Sequence, residues 1–122
     1  MSTRTACVVA GATPEQVTAF AAKPTVTIRA NKLGTLVSGK PGDLVIDLAM
    51  HFPGPVYDVM WNAETGWFAV TIYRGEQAVR WDNRPGTDAG YPRVDDVLGA
   101  TTPRTILEAL DVPAEAIGYV DA

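Results

Sequence analysis

Three charged residues are spaced so that they could do chemistry together: Asp58, Arg80 and Asp82. If residues 56–82 form antiparallel strands, Asp58 and Arg80 flank Thr71 on neighbouring strands, and Asp82 falls on the same face two residues on. Carboxylates beside a guanidinium could serve as general acid and base. The simpler reading is a cross-strand polar row that adds modest stability. Little else supports catalysis. No Ser/His/Asp spacing stands out, and there is no glycine-rich cofactor fingerprint. His51 is the only histidine and Cys7 the only cysteine. A metal site would therefore need carboxylates to complete it. Cys7 reads as a small apolar residue within a strand, and His51 as a surface side chain. The pair Asp95-Asp96 reads as a solvated face or a turn cap. The sequence thus nominates no catalytic, cofactor-binding or metal-binding residue, and the expectation is a protein that is not an enzyme.

Residues 34–40, GTLVSGK, match most of a phosphate-binding loop. The match fails where it matters. Pro41 replaces the Ser/Thr that would hold magnesium, and Pro-Gly follows where a helix must start. Thr35-Leu36-Val37 looks like a strand, so 38–43 is read as a hairpin loop.

The elements that must position the charged row are clearest in the stretch 56–82. Asn62, with Gly66 four residues later, signals a hairpin with loop 63–66. Gly75-Glu76 suits a two-residue type II′ turn. These turns set Trp61 opposite Phe68, Val59 opposite Val70, Asp58 opposite Thr71, Thr71 opposite Arg80 and Val70 opposite Trp81. One face then carries Tyr57, Val59, Trp61, Phe68, Val70, Ile72, Val79 and Trp81. The other carries Asp58, Thr71, Arg80 and Asp82, with Met60 and Ala69. Two independent turn assignments yield one apolar face, which a one-residue slip would scramble.

Outside this meander, strands are predicted at 5–10, 25–30 and 33–38. Thr13-Pro14, with Gln16, opens a helix in which Val17, Phe20 and Ala21 form the apolar stripe. Thr102-Pro103 opens another, with Ile106, Leu107 and Leu110 inward, and Asp111-Val112-Pro113 closes it. Residues 44–52 fit two patterns. As a strand they alternate Leu44, Ile46, Leu48, Met50 and Phe52 on one face; as a helix they stripe Val45, Leu48, Ala49 and Phe52. The unbroken alternation favours the strand. The predicted architecture is a single α+β domain spanning 1–122. It has an antiparallel sheet of about five or six strands, with the N-terminal helix and the C-terminal helices packed on one face.

The chain has 122 residues and a net charge of −4. Its first forty residues carry five basic groups against Glu15, while the remainder carries thirteen acids against five arginines. An acidic chain is a poor nucleic-acid binder and suits a basic protein partner. No run approaches membrane-spanning length, and residues 6–12 are too short for a signal-peptide core. A cytoplasmic protein is expected, without membrane contact. Only three lysines occur, and Ala, Gly, Val and Asp are frequent. That bias suits a GC-rich genome, for example an actinobacterium or one of its phages.

Residues 82–93, DNRPGTDAGYPR, are nearly all turn formers. Long loops in compact domains are often functional, although an idle connector would read the same way. This one carries Arg84, Tyr91 and Arg93, with Arg80 and Asp82 at its root, and Arg and Tyr are enriched in binding hot spots. These five residues are the expected partner-binding set. The leading expectation is a small module that captures a protein partner stoichiometrically, as immunity proteins, antitoxins and phage-encoded inhibitors do. The alternative is a structural subunit of a larger assembly such as a phage particle, and a homodimer fits either reading. A third reading, a small-molecule binder or enzyme, would need Trp61, Trp67 and Tyr73 around one pocket. The predicted register sets Trp61 on the face opposite the other two.

Overall fold

The computed structural model describes residues 3–21, 26–39, 44–83 and 102–120. It is an α+β fold built on a six-stranded sheet in the order β2-β3-β1-β4-β5-β6, every neighbouring pair antiparallel. The strands are β1 (Arg4–Ala10), β2 (Val26–Asn31), β3 (Gly34–Gly39), β4 (Val56–Asn62), β5 (Trp67–Arg74) and β6 (Gln77–Asp82). Among the described residues three helices accompany them: α1 (Pro14–Ala21), α2 (Leu44–His51) and α3 (Pro103–Leu110), the last followed by a short 3-10 turn at Ala114–Ala116.

The meander has the register its turns predict. Trp61 pairs with Phe68, Asp58 with Thr71, Thr71 with Arg80 and Val70 with Trp81. The reason is local. Asn62 Oδ1 accepts hydrogen bonds from the amides of Glu64 and Thr65, and Gly66 returns its own amide to Asn62 O at 2.8 Å. Gly66 does this at φ +72, a left-handed conformation that glycine enters without a Cβ penalty. Residues 34–39 of the segment resembling a phosphate loop form strand β3. Its first residue, Gly34, sits where a Cβ would strike the main chain at the end of β1, so this glycine serves strand packing.

β1 lies between β3 and β4 and joins the β2–β3 hairpin to the meander. Its side chains feed two cores. Ala6 and Val8 join Leu36, Tyr57, Val59, Trp61, Phe68, Val70, Ile72 and Trp81 on one face, covered by Ile106, Leu107 and Leu110 of α3 with Val112, Ile117 and Tyr119. Tyr119 meets Trp61 edge-on, with ring centroids 4.7 Å apart. Cys7 and Val9 join Val37 and Val56 on the other face, covered by Val17 of α1 and by Leu44, Val45, Leu48 and Ala49 of α2. The helices are therefore divided between the two faces, which corrects the single-face arrangement expected. Strands β1, β3 and β4 bury both sides, so each face needs its own cover.

Segment 44–52 is also corrected, from strand to helix α2. The helical stripe is what is buried: Leu44, Val45, Leu48 and Ala49. Ile46 and Met50, which the strand pattern would bury, are 53% and 56% exposed. A segment with apolar residues at almost every position satisfies both periods, and contact with β1, β4 and β5 decides between them.

Both Thr-Pro helix starts are capped. Gln16 N donates to Thr13 Oγ1 and Thr13 N to Gln16 Oε1, a reciprocal capping box. Thr102 and Thr105 make the equivalent exchange at the start of α3. At its other end, α3 stops at Asp111 in the left-handed conformation, φ 57.

Candidate functional site

The site worth testing is the charged row, because β4, β5 and β6 bring its members side by side. Asp58, Thr71 and Arg80 occupy one line across three strands, and Asp82 is two residues along β6 from Arg80. They share the face that α1 and α2 cover farther along, towards Val9, Val56 and Tyr73. Neither helix packs substantially on β6. Arg80 Nε donates to Thr71 Oγ1 at 3.0 Å, and the guanidinium carbon lies 6.0 Å from the Trp67 ring centroid.

The row is buried below its arginine. Asp58 is 8% exposed and Asp82 only 3%, whereas Arg80 is exposed. Among the described residues Asp58 Oδ1 has no hydrogen-bond partner. Burial pushes the Asp58 carboxyl up from 3.8 to about 7, and the Arg80 guanidinium offsets part of that rise. Cys7 is the cross-strand partner of Asp58 on its other side. Burial, and then the Asp58 charge, raises the Cys7 thiol, so it is protonated and inert at neutral pH. Tyr73 is raised by burial first, then by the Asp58 charge.

Of the five residues expected to bind a partner, Arg80 is exposed on the edge strand, and Asp82 is buried with little surface to offer. Arg84, Tyr91 and Arg93 lie outside the described residues. The last described residue before them, Asn83, is fixed against β5. Its amide donates to Phe68 O at 3.1 Å, its Oδ1 accepts from Phe68 N, and its Nδ2 donates to Gly66 O. In the sequence Asn83 is one more turn former, and only its position beside β5 reveals the anchor. Trp67 and Tyr73 are both half-buried. They lie on the Arg80 face, while Trp61 is in the core beneath α3, so the three aromatics form no common pocket.

Among the described residues no group of three or more His, Cys, Asp or Glu is placed to hold a metal ion, and no helix is long and apolar enough to cross a membrane. A cleft of about 170 Å³ between Arg29, Leu36 and Ser38 on one side and Pro113, Glu115 and Ala116 on the other lies on the α3 face. Small-molecule pockets are usually about 300–1,000 Å³. His51 stacks on Phe20, with ring centroids 4.0 Å apart, and meets Phe52 edge-on. This places it in an aromatic contact between α1 and α2.

The chain matches no family model, no curated protein and no solved structure.

Proposed function

We propose that this chain is a non-catalytic module that captures a protein partner stoichiometrically through the β6 side of the sheet. The observation that carries this reading is Arg80. It is exposed on an edge strand, held by Thr71 and set against Trp67. A pre-positioned arginine beside an aromatic ring is the kind of anchor that dominates protein interfaces. Asn83, which directly precedes Arg84 in the sequence, is anchored beside β5 at the end of the same strand.

The test is affinity purification of tagged protein from lysate of its source or host, read by mass spectrometry. Wild type, Arg80→Glu and Glu108→Lys are run in parallel. Glu108 is exposed on α3, across the sheet from Arg80. One stoichiometric partner that Arg80→Glu loses and Glu108→Lys keeps supports the reading. Equal recovery with all three chains places the interface elsewhere, and recovery of the chain alone refutes capture.

A further inference from the structure

The opposite edge of the sheet carries a separate inference, independent of the capture reading. Among the described residues β2 pairs only with β3. Thr27, Arg29 and Ala30 are exposed along it, and Val26 and Ile28 are half-buried against the α1–α2 core. An edge strand turns alternate amides and carbonyls outward, and proteins usually blunt such edges with proline, bulges or several charges. β2 reads VTIRAN. It contains no proline and one charge, and its ladder with β3 runs unbroken from Val26 to Asn31.

We propose that β2 pairs antiparallel with the β2 of a second copy of this chain, joining two sheets into one twelve-stranded sheet across a two-fold axis. Paired residues then lie on the same face, so the two residue numbers in each pair must sum to an even value. Centring on Arg29 sets that guanidinium against itself, which is unfavourable for like charges directly opposite. It also uses Asn31, whose side chain already serves Leu110 and Asp111. Centring on Ile28 pairs five described residues without conflict. Ile28 meets its counterpart, Val26 meets Ala30 and Thr27 meets Arg29. The apolar residues Val26, Ile28 and Ala30 then form a continuous seam on the face that α1 covers, and Thr27 and Arg29 lie on the other. This self-complementarity selects a second copy over an unrelated extended peptide. One strand edge buries well under the ~1,200 Å² of a stable interface, so the association is weak and depends on concentration.

The register makes an opposed pair of variants diagnostic. Thr27→Glu faces the partner copy's arginine twice in the dimer, and Thr27→Arg repels it twice. Thr27 is exposed, and neither change touches the core. Sedimentation velocity over a wide concentration range is expected to show a monomer–dimer equilibrium for wild type. Thr27→Glu tightens it by about tenfold and Thr27→Arg weakens it by about tenfold. In wild type, the Ile28 amide exchanges more slowly with solvent as concentration rises. A monomer at every concentration overturns the proposal. So does a dimer that both substitutions leave unchanged, or an Ile28 amide whose exchange ignores concentration.

Discussion

Asn31 and Asp111 are bonded to each other's neighbourhoods across eighty residues of sequence. Asn31 Nδ2 donates to the main-chain oxygens of Leu110, at 3.0 Å, and Asp111, at 2.9 Å. Asp111 Oδ2 accepts from the amide of Lys32 at 3.0 Å. The β2–β3 turn thereby satisfies carbonyls that the end of α3 leaves without an intrahelical partner, and Asp111 holds φ 57 to complete the exchange.

Asn31→Ala removes both donations and the contact of Asn31 Oδ1 with the Leu33 amide. It should lower stability by about 1–3 kcal/mol, read as a reduced urea midpoint with an unchanged slope. Asp111→Gly removes the carboxylate but relaxes the positive φ, so it should cost less than Asp111→Ala.

Asp58 sets a pH dependence whose sign is opposite to that of a salt-bridged carboxylate. Its folded value, about 7, lies above the ordinary 3.8. Between those values the folded chain holds a proton that the unfolded chain has released, so stability falls as pH rises from about 4 to about 7 and is flat beyond. Asp58→Asn keeps the shape without the charge. It should raise the melting temperature at pH 8, leave it little changed at pH 4, and flatten the slope between. A variant as pH-sensitive as wild type would place the cause elsewhere.

Removing Arg80 deepens the same effect. Its guanidinium favours the Asp58 carboxylate, so Arg80→Gln should push the Asp58 carboxyl still higher. The stability loss would then extend to more alkaline pH, which thermal melts at closely spaced pH values would resolve.

Arg84→Ala and Tyr91→Ala should weaken capture of the partner by at least tenfold, as hot-spot truncations do, without moving the melting temperature. Affinity measured by titration calorimetry that is unchanged in both would remove Arg84 and Tyr91 from the interface.

Helix α2 can be tested by a pair of substitutions that a strand would treat alike. Leu48→Ala should cost about 2–5 kcal/mol, because Leu48 is fully buried. Ile46→Lys should be close to neutral.

The meander was legible because its determinants are local. Asn62, Gly66 and Gly75 set the turns, and the alternation of Val59, Trp61, Phe68 and Val70 then has one consistent register. Both helix starts were legible for the same reason, since Thr13 with Gln16 and Thr102 with Pro103 act within one turn. What the sequence hid is tertiary. Ile46 and Met50 are as apolar as Leu48, and only the neighbouring strands determine which of them is covered. The division of helices between two faces depends on β1 entering the middle of the sheet, which its composition does not announce. Asp58 could be assigned to a face by counting, but its burial, and hence its raised carboxyl, required the packed structure.

The central position of β1 has a practical consequence. Residues 26–39 and 56–82 make no strand pairing with each other except through Arg4–Ala10. In the folded sheet those seven residues fill a strand-wide slot between a hairpin and a meander. A synthetic peptide of the β1 sequence, supplied separately, has hydrogen-bonding partners waiting on both sides of that slot. The fold is thus laid out as a two-piece complementation system, in which restoration of the sheet reports the arrival of one short strand.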